Sequence, residues 1–172
     1  AARKAEISDL PERFRQAANR HMRAAETALE RMETGWDLVC SDQTAGRAFR
    51  WANKAMLYQQ VRSAFPLREA EPRKGGGPRL KGTHPEPRIQ QGKGMWRPFQ
   101  IAFILASLPE LVTPSHPNRS LVDLIFFPTG GGKTEAYLGA CAISLLARRL
   151  RDPGDTGTDT LMRYTLRLLT AQ

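Results

Sequence analysis

The stretch Leu121–Leu150, LVDLIFFPTGGGKTEAYLGACAISLLARRL, constrains this chain more than any other, because an apolar run stops there at a glycine cluster and a helical pattern begins. Leu, Val, Ile and Phe fill Leu121–Phe127 with Asp123 as the one charge, and Pro128 closes the run. That is the composition of a strand buried on both faces of a parallel sheet. In Thr129-Gly130-Gly131-Gly132-Lys133-Thr134 the glycines let the backbone turn so tightly that successive N–H groups point at one anion. Lys133 is then placed to reach the β- and γ-phosphates of a nucleotide, and the Thr134 hydroxyl to ligate Mg²⁺. A helix starting at this loop adds the positive end of its dipole to the same anion. Its apolar positions, from Ala136 to Leu150, wrap much of the circumference, so it is expected to pack against both a sheet and a neighbouring element.

The pattern G-x-x-x-x-G-K-[ST] fails at one place, since its first glycine falls on Phe127. A flexible surface turn is the rival reading of GGGKT. Such a turn needs neither a buried strand before it nor an apolar helix after it, and the sequence supplies both.

Elsewhere the sequence narrows the classes open to it. With 41% hydrophobic residues in 172, there is enough apolar material for a core. No run approaches the ~18 apolar residues of a membrane span and the N-terminus lacks a secretion signal, so no membrane partner and a cytoplasmic location are expected. Cys40 and Cys141 have no C-x-x-C spacing, and Cys141 lies on the apolar helix, which favours burial over a disulfide or metal. His21, His84 and His116 form no ligand spacing either. The net charge of +9 suits a polyanionic partner, and the excess is concentrated in residues 67–98.

Taken in order, residues 9–33 make an amphipathic helix: Leu10, Phe14, Ala17/Ala18, Met22, Ala25, Leu29 and Met32 recur at steps of three or four. Asp9 and Glu12 fit a capping box and Gly35 fits the stop, with Trp36–Cys40 extended beyond it. Ala45–Phe65 reads as a second helix ended by Pro66, the two forming a helical hairpin. Arg47, Arg50, Trp51, Lys54 and Arg62 around that helix form either a docking or DNA-contacting surface or a solvated face with one aromatic lid. Prolines and glycines across 67–94 preclude regular structure, giving a basic linker or loop whose cations either lie along a nucleic-acid backbone or merely solubilise it. Met95–Gln100 leads into an apolar helix over Ile101–Leu108 that Pro109 ends, with a polar loop at Thr113–Ser120. The Gln100 amide has the donor and acceptor to pair with adenine, although a lone glutamine is ordinarily a surface residue. After the loop's helix come a Gly- and Asp-rich loop, Asp152–Asp159, a second strand, Thr160–Tyr164, and a helix start at Thr165–Gln172. Thr165 would open that helix toward a phosphate, with Arg167 in its first turn. Strand, helix, strand is a right-handed βαβ unit, and more strands are needed for a stable sheet, so the chain reads as part of a longer polypeptide.

Three pieces together resemble a superfamily 2 helicase. FPTGGGKT resembles that superfamily's first motif, written with Pro-Thr-Gly ahead of Gly-Lys-Thr. WRPFQ is similar to the upstream adenine-reading motif, which implies Gln100 on the base and Arg97 at the nucleotide. YTLRLLTAQ resembles the next motif, which implies Thr165, Arg167 and Gln172 along one nucleic-acid strand, although Leu166 and Leu168 depart from its pattern. DQTAGRAFRWANKAML, WRPFQIAFIL, FPTGGGKTEAYLG and LMRYTLRLLTAQ in this order look like the helicase subunits of the DISARM anti-phage system.

The resemblance implies an α/β chain holding an incomplete RecA-like phosphate-loop lobe with a parallel sheet. Its parts are an α-helical region at 1–66, a basic linker at 67–94 and the lobe's first part at 95–172. It implies ATP and Mg²⁺ held by Arg97, Gln100, Thr129, Gly130, Gly131, Gly132, Lys133 and Thr134. Lys133 and Thr134 would act in catalysis, with Thr134 on the metal. The expected activity is that of an ATP-dependent DNA helicase or translocase on single strands or duplex with a single-stranded end, working with a second defence subunit. The acidic Mg²⁺/water motif, the second lobe and its arginine finger do not occur in the sequence, so these residues alone are not expected to hydrolyse ATP. The rivals are an ATP-gated DNA-binding or loading module without translocation, and an interaction fragment whose loop is structural.

Overall fold

The computed structural model describes residues 6–63, 65–66, 68–83, 86–89, 94–126 and 131–163. Four helices carry the fold: α1 (Glu12–Ser41), α2 (Gln43–Arg62), α3 (Pro98–Val112) and α4 (Lys133–Arg151). A small antiparallel ladder, β1 (Ala70–Glu71) with β2 (Arg79–Leu80), pairs Ala70 with Leu80.

α1 runs past the expected stop at Gly35, and Trp36–Cys40 is helical rather than extended. The glycine is there for contact and not for termination. Gly35 is buried against α3, where a Cβ would stand 1.9 Å from the Leu105 carbonyl oxygen. That oxygen is itself unusual. Pro109 lies inside α3 and has no N–H, so Leu105 O loses the i+4 donor that an α-helix normally supplies. Gly35, with no side chain to intervene, packs against this carbonyl. Pro109 therefore does not end α3, which continues to Val112, and at the other end Pro98 takes the first turn where a missing N–H costs nothing.

The start of α1 also departs from expectation: Pro11 holds the cap position without a side-chain bond, and Asp9 ends a preceding 3₁₀ turn, Glu6–Asp9, so the capping box does not form. Asp42 alone joins α1 to α2. Its N–H donates to Leu38 O, closing α1, and its carboxylate accepts from Ala45 N at 2.7 Å, opening α2. α2 ends at Arg62, ahead of Pro66.

Alanines at 45, 48 and 52 give α2 a flat face, and Ile104, Leu108 and Val112 of α3 meet it together with Ile143 and Ala147 of α4 in one core. Between α2 and α3 the glycine- and proline-rich segment holds a hairpin where no regular structure was expected. Its turn uses Gly75 at φ +80, and Lys81 bridges Glu69 and Glu71 at 3.2 and 3.3 Å. Residues Pro117–Ser120 of the expected polar loop form a 3₁₀ turn.

Neither of the two expected strands is paired among the described residues. Residues 121–126 run without a ladder partner among the described residues, leaving Val122, Leu124 and Phe126 87–90% exposed. A parallel strand obtains its hydrogen bonds only from strands beside it, and the described residues hold no parallel ladder. What anchors the segment instead is its single charge. Arg31 of α1 grips both Asp123 oxygens at 3.0 and 3.1 Å and reaches Glu110 of α3 at 3.3 Å. Residues 160–163 likewise have no ladder partner among the described residues.

Candidate nucleotide site

The site grows from the five residues Trp96–Gln100. The Trp96 indole N–H donates to Asn53 Oδ1 on α2, and its ring lies against Gly139 of α4, where a Cβ would come within 2.8 Å of it. That staple fixes the entry to α3. Arg97, the cap residue, extends Nη1 to Gly131 O at 2.8 Å. One turn on, the buried Gln100 amide accepts from Arg97 N at 2.8 Å and donates through Nε2 to Gly132 O at 2.7 Å.

Two successive loop carbonyls are thus held by α3. In a trans peptide the N–H lies opposite the C=O, and no cis bond occurs among the described residues, so these bonds turn the N–H groups of Gly132 and Lys133 away from α3. Gly132 adopts φ +84, the left-handed region that favours glycine, and a Cβ there would also press on Gln100 Nε2 at 2.8 Å. α4 starts at the next residue, which brings its dipole to the same place.

Beside this junction is a cleft of about 880 Å³ whose walls are α2, the end of the basic segment, residues 95–100 and the start of α4. Gly132, Thr134, Arg97 and Gln100 line it, so four of the predicted nucleotide residues share one surface. Gly131 lies one residue away, and Lys133 opens α4 between Gly132 and Thr134. Thr129 and Gly130 of the loop, and Thr165, Arg167 and Gln172 of the expected nucleic-acid contact, lie outside the described residues.

The cleft includes residues that motif reading did not select. Glu135 lines it with an Oε2 that is buried and has no hydrogen-bond partner among the described residues. Asn53, Lys54 and Gln60 come from α2, the last accepting from Gly94 N at 2.6 Å. Lys54, read from sequence as part of either a docking or DNA-contacting surface or a solvated helix face, stands at the cleft wall. Of its neighbours, Arg47 stacks on Trp51 at 4.9 Å and Arg62 on Tyr58 at 4.3 Å. Tyr58 donates to Glu86 at 2.6 Å, which pushes the phenol above its usual range. Cys40 is exposed and Cys141 half-buried, both as free thiols.

At the far end of α4, Arg148 gathers the Asp-rich loop: it forks onto both Asp155 oxygens and donates to Thr158 O at 2.7 Å. The guanidinium holds the Asp155 carboxyl below the usual carboxylate range, with the Gly157 N–H adding to the effect.

Comparison with known proteins bears on the whole arrangement. This chain is similar to the DISARM protein DrmA. DrmA of Bacillus paralicheniformis is 38% identical over 166 residues, covering 92% of this chain. The chain spans 14% of the length of that DrmA. No family model matches the chain and no solved structure matches it. At 92% coverage the similarity to DrmA takes in residues of all four helices, not the loop alone. No helix among the described residues is long and apolar enough to cross a membrane.

Proposed function

We propose that this chain supplies the nucleotide contacts of an ATP-dependent DNA helicase or translocase in anti-phage defence, in the cytoplasm and beside a second subunit of the same system. The observation that carries the reading is the double clamp of Arg97 and Gln100 on the carbonyls of Gly131 and Gly132. By holding those two carbonyls it turns the peptide N–H groups behind them away from α3 at the start of α4, where the helix dipole favours an anion. The similarity to DrmA supports the defence role.

In this reading the loop belongs to a RecA-like lobe, with the apolar residues of 121–127 as its strand. The backbone of Gly131 and Gly132, with Thr129 and Gly130, wraps the phosphates, and Lys133 balances their charge. Thr134 presents its hydroxyl to Mg²⁺, and the orphaned Glu135 oxygen beside it suits a cation and its waters. Gln100 keeps a second amide hydrogen and a second lone pair for an adenine edge. Bound Mg-ATP would supply a phosphoanhydride whose hydrolysis drives movement along DNA. Thr165, Arg167 and Gln172 contact one strand.

Lys133→Ala in the full-length protein tests the assignment. Isolated electrostatic donors are worth ~3–4 kcal/mol in a transition state, so turnover of ATP should fall by a factor of hundreds with the melting temperature kept. Near-normal turnover in that variant would refute it.

A further inference from the structure

We propose that α1 carries a self-association surface on which a second copy of this chain packs in antiparallel register, about a twofold axis at the level of Thr27. Phe14, Ala18, Met22, Ala25, Leu29, Met32 and Trp36 recur along α1 at steps of three and four, the spacing of a helix that buries one stripe against another helix. The fold uses a different face. α1 turns Gly35 to α3, with Leu38 and Val39 against the core. At 3.6 residues per turn, Leu29 and Trp36 lie more than a quarter-turn round the helix from Gly35. Phe14, Leu29 and Trp36 are accordingly 49%, 50% and 51% exposed and Ala25 is exposed with them, while Ala18, Met22 and Met32 are half-buried. A long apolar stripe on the outside of a folded chain marks a contact surface.

The stripe itself identifies the occupant, because it is complementary to its own reverse. Set Ala25 of one copy against Leu29 of the other, and Met22 meets Met32 while Ala18 meets Trp36. Each layer then joins a small side chain to a large one, or two of middle size, as interior packing requires. The charges have the same symmetry. The first half of α1 carries Arg13, Arg15, Arg20 and Arg23 against Glu12. Glu26 also falls in that half, while the second half carries Glu30, Glu33 and Asp37 against Arg31, and Arg31 is turned inward to Asp123 and Glu110.

Antiparallel pairing lays a basic half on an acidic half at both ends, whereas parallel pairing sets like on like. Within one helix this distribution gains nothing, for the last turn has no cation to meet the negative end of the dipole. A heterologous partner would require no such palindrome, and a twofold contact does, since each copy offers the same patch to the other.

The test uses the full-length protein, with its mass followed by light scattering over a concentration series. A dimer is expected at micromolar concentration. Leu29→Arg, at a half-exposed position, should weaken it about tenfold or more and leave the helical circular dichroism and the melting temperature unchanged. In a background with native cysteines replaced by serine, a short bis-maleimide should cross-link Ala28→Cys, which lies beside its own copy at the axis. Ala18→Cys should not cross-link, because in this register its own copy is about 27 Å away at 1.5 Å per residue. A monomer across the series, a dimer indifferent to Leu29→Arg, or equal cross-linking of both cysteine variants overturns the proposal. So does a monomer that engages a different protein through this stripe.

Discussion

Gly35→Ala adds one methyl group at the point where α1 crosses α3. That carbon would stand 1.9 Å from Leu105 O, 2.8 Å from the carbonyl carbon and 3.3 Å from the Leu105 Cα. Every atom it meets is backbone in the middle of a helix, so no rotamer change relieves the clash. Restoring an ordinary contact of about 3.5 Å requires the helices to part by roughly 1.5 Å. Overpacking on this scale costs about 3 kcal/mol, the upper part of the usual range, and alanine's helix preference returns about 1 kcal/mol. The net loss is therefore about 2 kcal/mol, or a melting temperature lower by roughly 4–8 °C for a chain of this size. Thermal and urea melts followed by circular dichroism measure it. A variant as stable as the parent would show that helix propensity decides the position and would refute the close crossing. The role of Pro109 can be separated in the same series. Pro109→Ala restores a donor to Leu105 O, so the two substitutions should couple by about 0.5 kcal/mol or more in a double-mutant cycle.

Gln100→Ala removes the bonds to Arg97 N and Gly132 O, and should cost about 1–3 kcal/mol of stability while narrowing the preference for ATP over GTP. A wild-type preference ratio in a folded variant would leave the residue a loop clamp only. For Asp155, Arg148 depresses the folded pKa, so its contribution is complete above the unfolded value of about 3.9 and is lost as pH falls through the folded one. The stability gap between parent and Asp155→Asn should accordingly stay level near neutrality and close in acid, and a gap unchanged to pH 3 would contradict the pairing. Arg167→Ala in the full-length protein should weaken single-stranded DNA binding alike across sequences and reduce the slope of log affinity against log salt by about 0.7, one phosphate's worth. An unchanged slope with a lowered melting temperature would assign Arg167 to an ion pair instead.

What could be read from sequence here is what local chemistry decides. The glycines and Lys133 announce a loop opening a helix because no other composition turns that tightly, and α4 begins at Lys133 with Gly132 in the left-handed region. Gln100 was legible as an amide with a suitable donor and acceptor, and Arg97 only through its place in WRPFQ. Their grip on Gly132 O and Gly131 O was not, because it depends on α3 arriving beside a loop more than thirty residues downstream. Glu135 and Lys54 were missed for the same reason: nothing in their own neighbourhood distinguishes a cleft wall from a solvated helix face. The hairpin at Ala70–Leu80 escaped because prolines and glycines that break long strands still permit a ladder two residues long.

Glycine and proline misled where they were used as punctuation. Gly35 and Pro109 each read as the end of a helix, and each lies inside one, because they answer one another across a crossing that neither sequence neighbourhood reveals. Proline opens a gap in the α3 ladder, and the residue without a side chain fills it. The same limit applies to hydrophobic period. The most regular apolar stripe in the chain, Phe14 to Trp36, is not the face that α1 buries; a glycine and an arginine on another side attach it to α3. Periodicity identifies the residues that gain by leaving water, but it is silent on whether the covering surface comes from the same fold. Where the fold leaves such a stripe open, its internal order of sizes and charges is the remaining evidence on its partner, and from Ala18 to Trp36 that order is complementary to its own reverse.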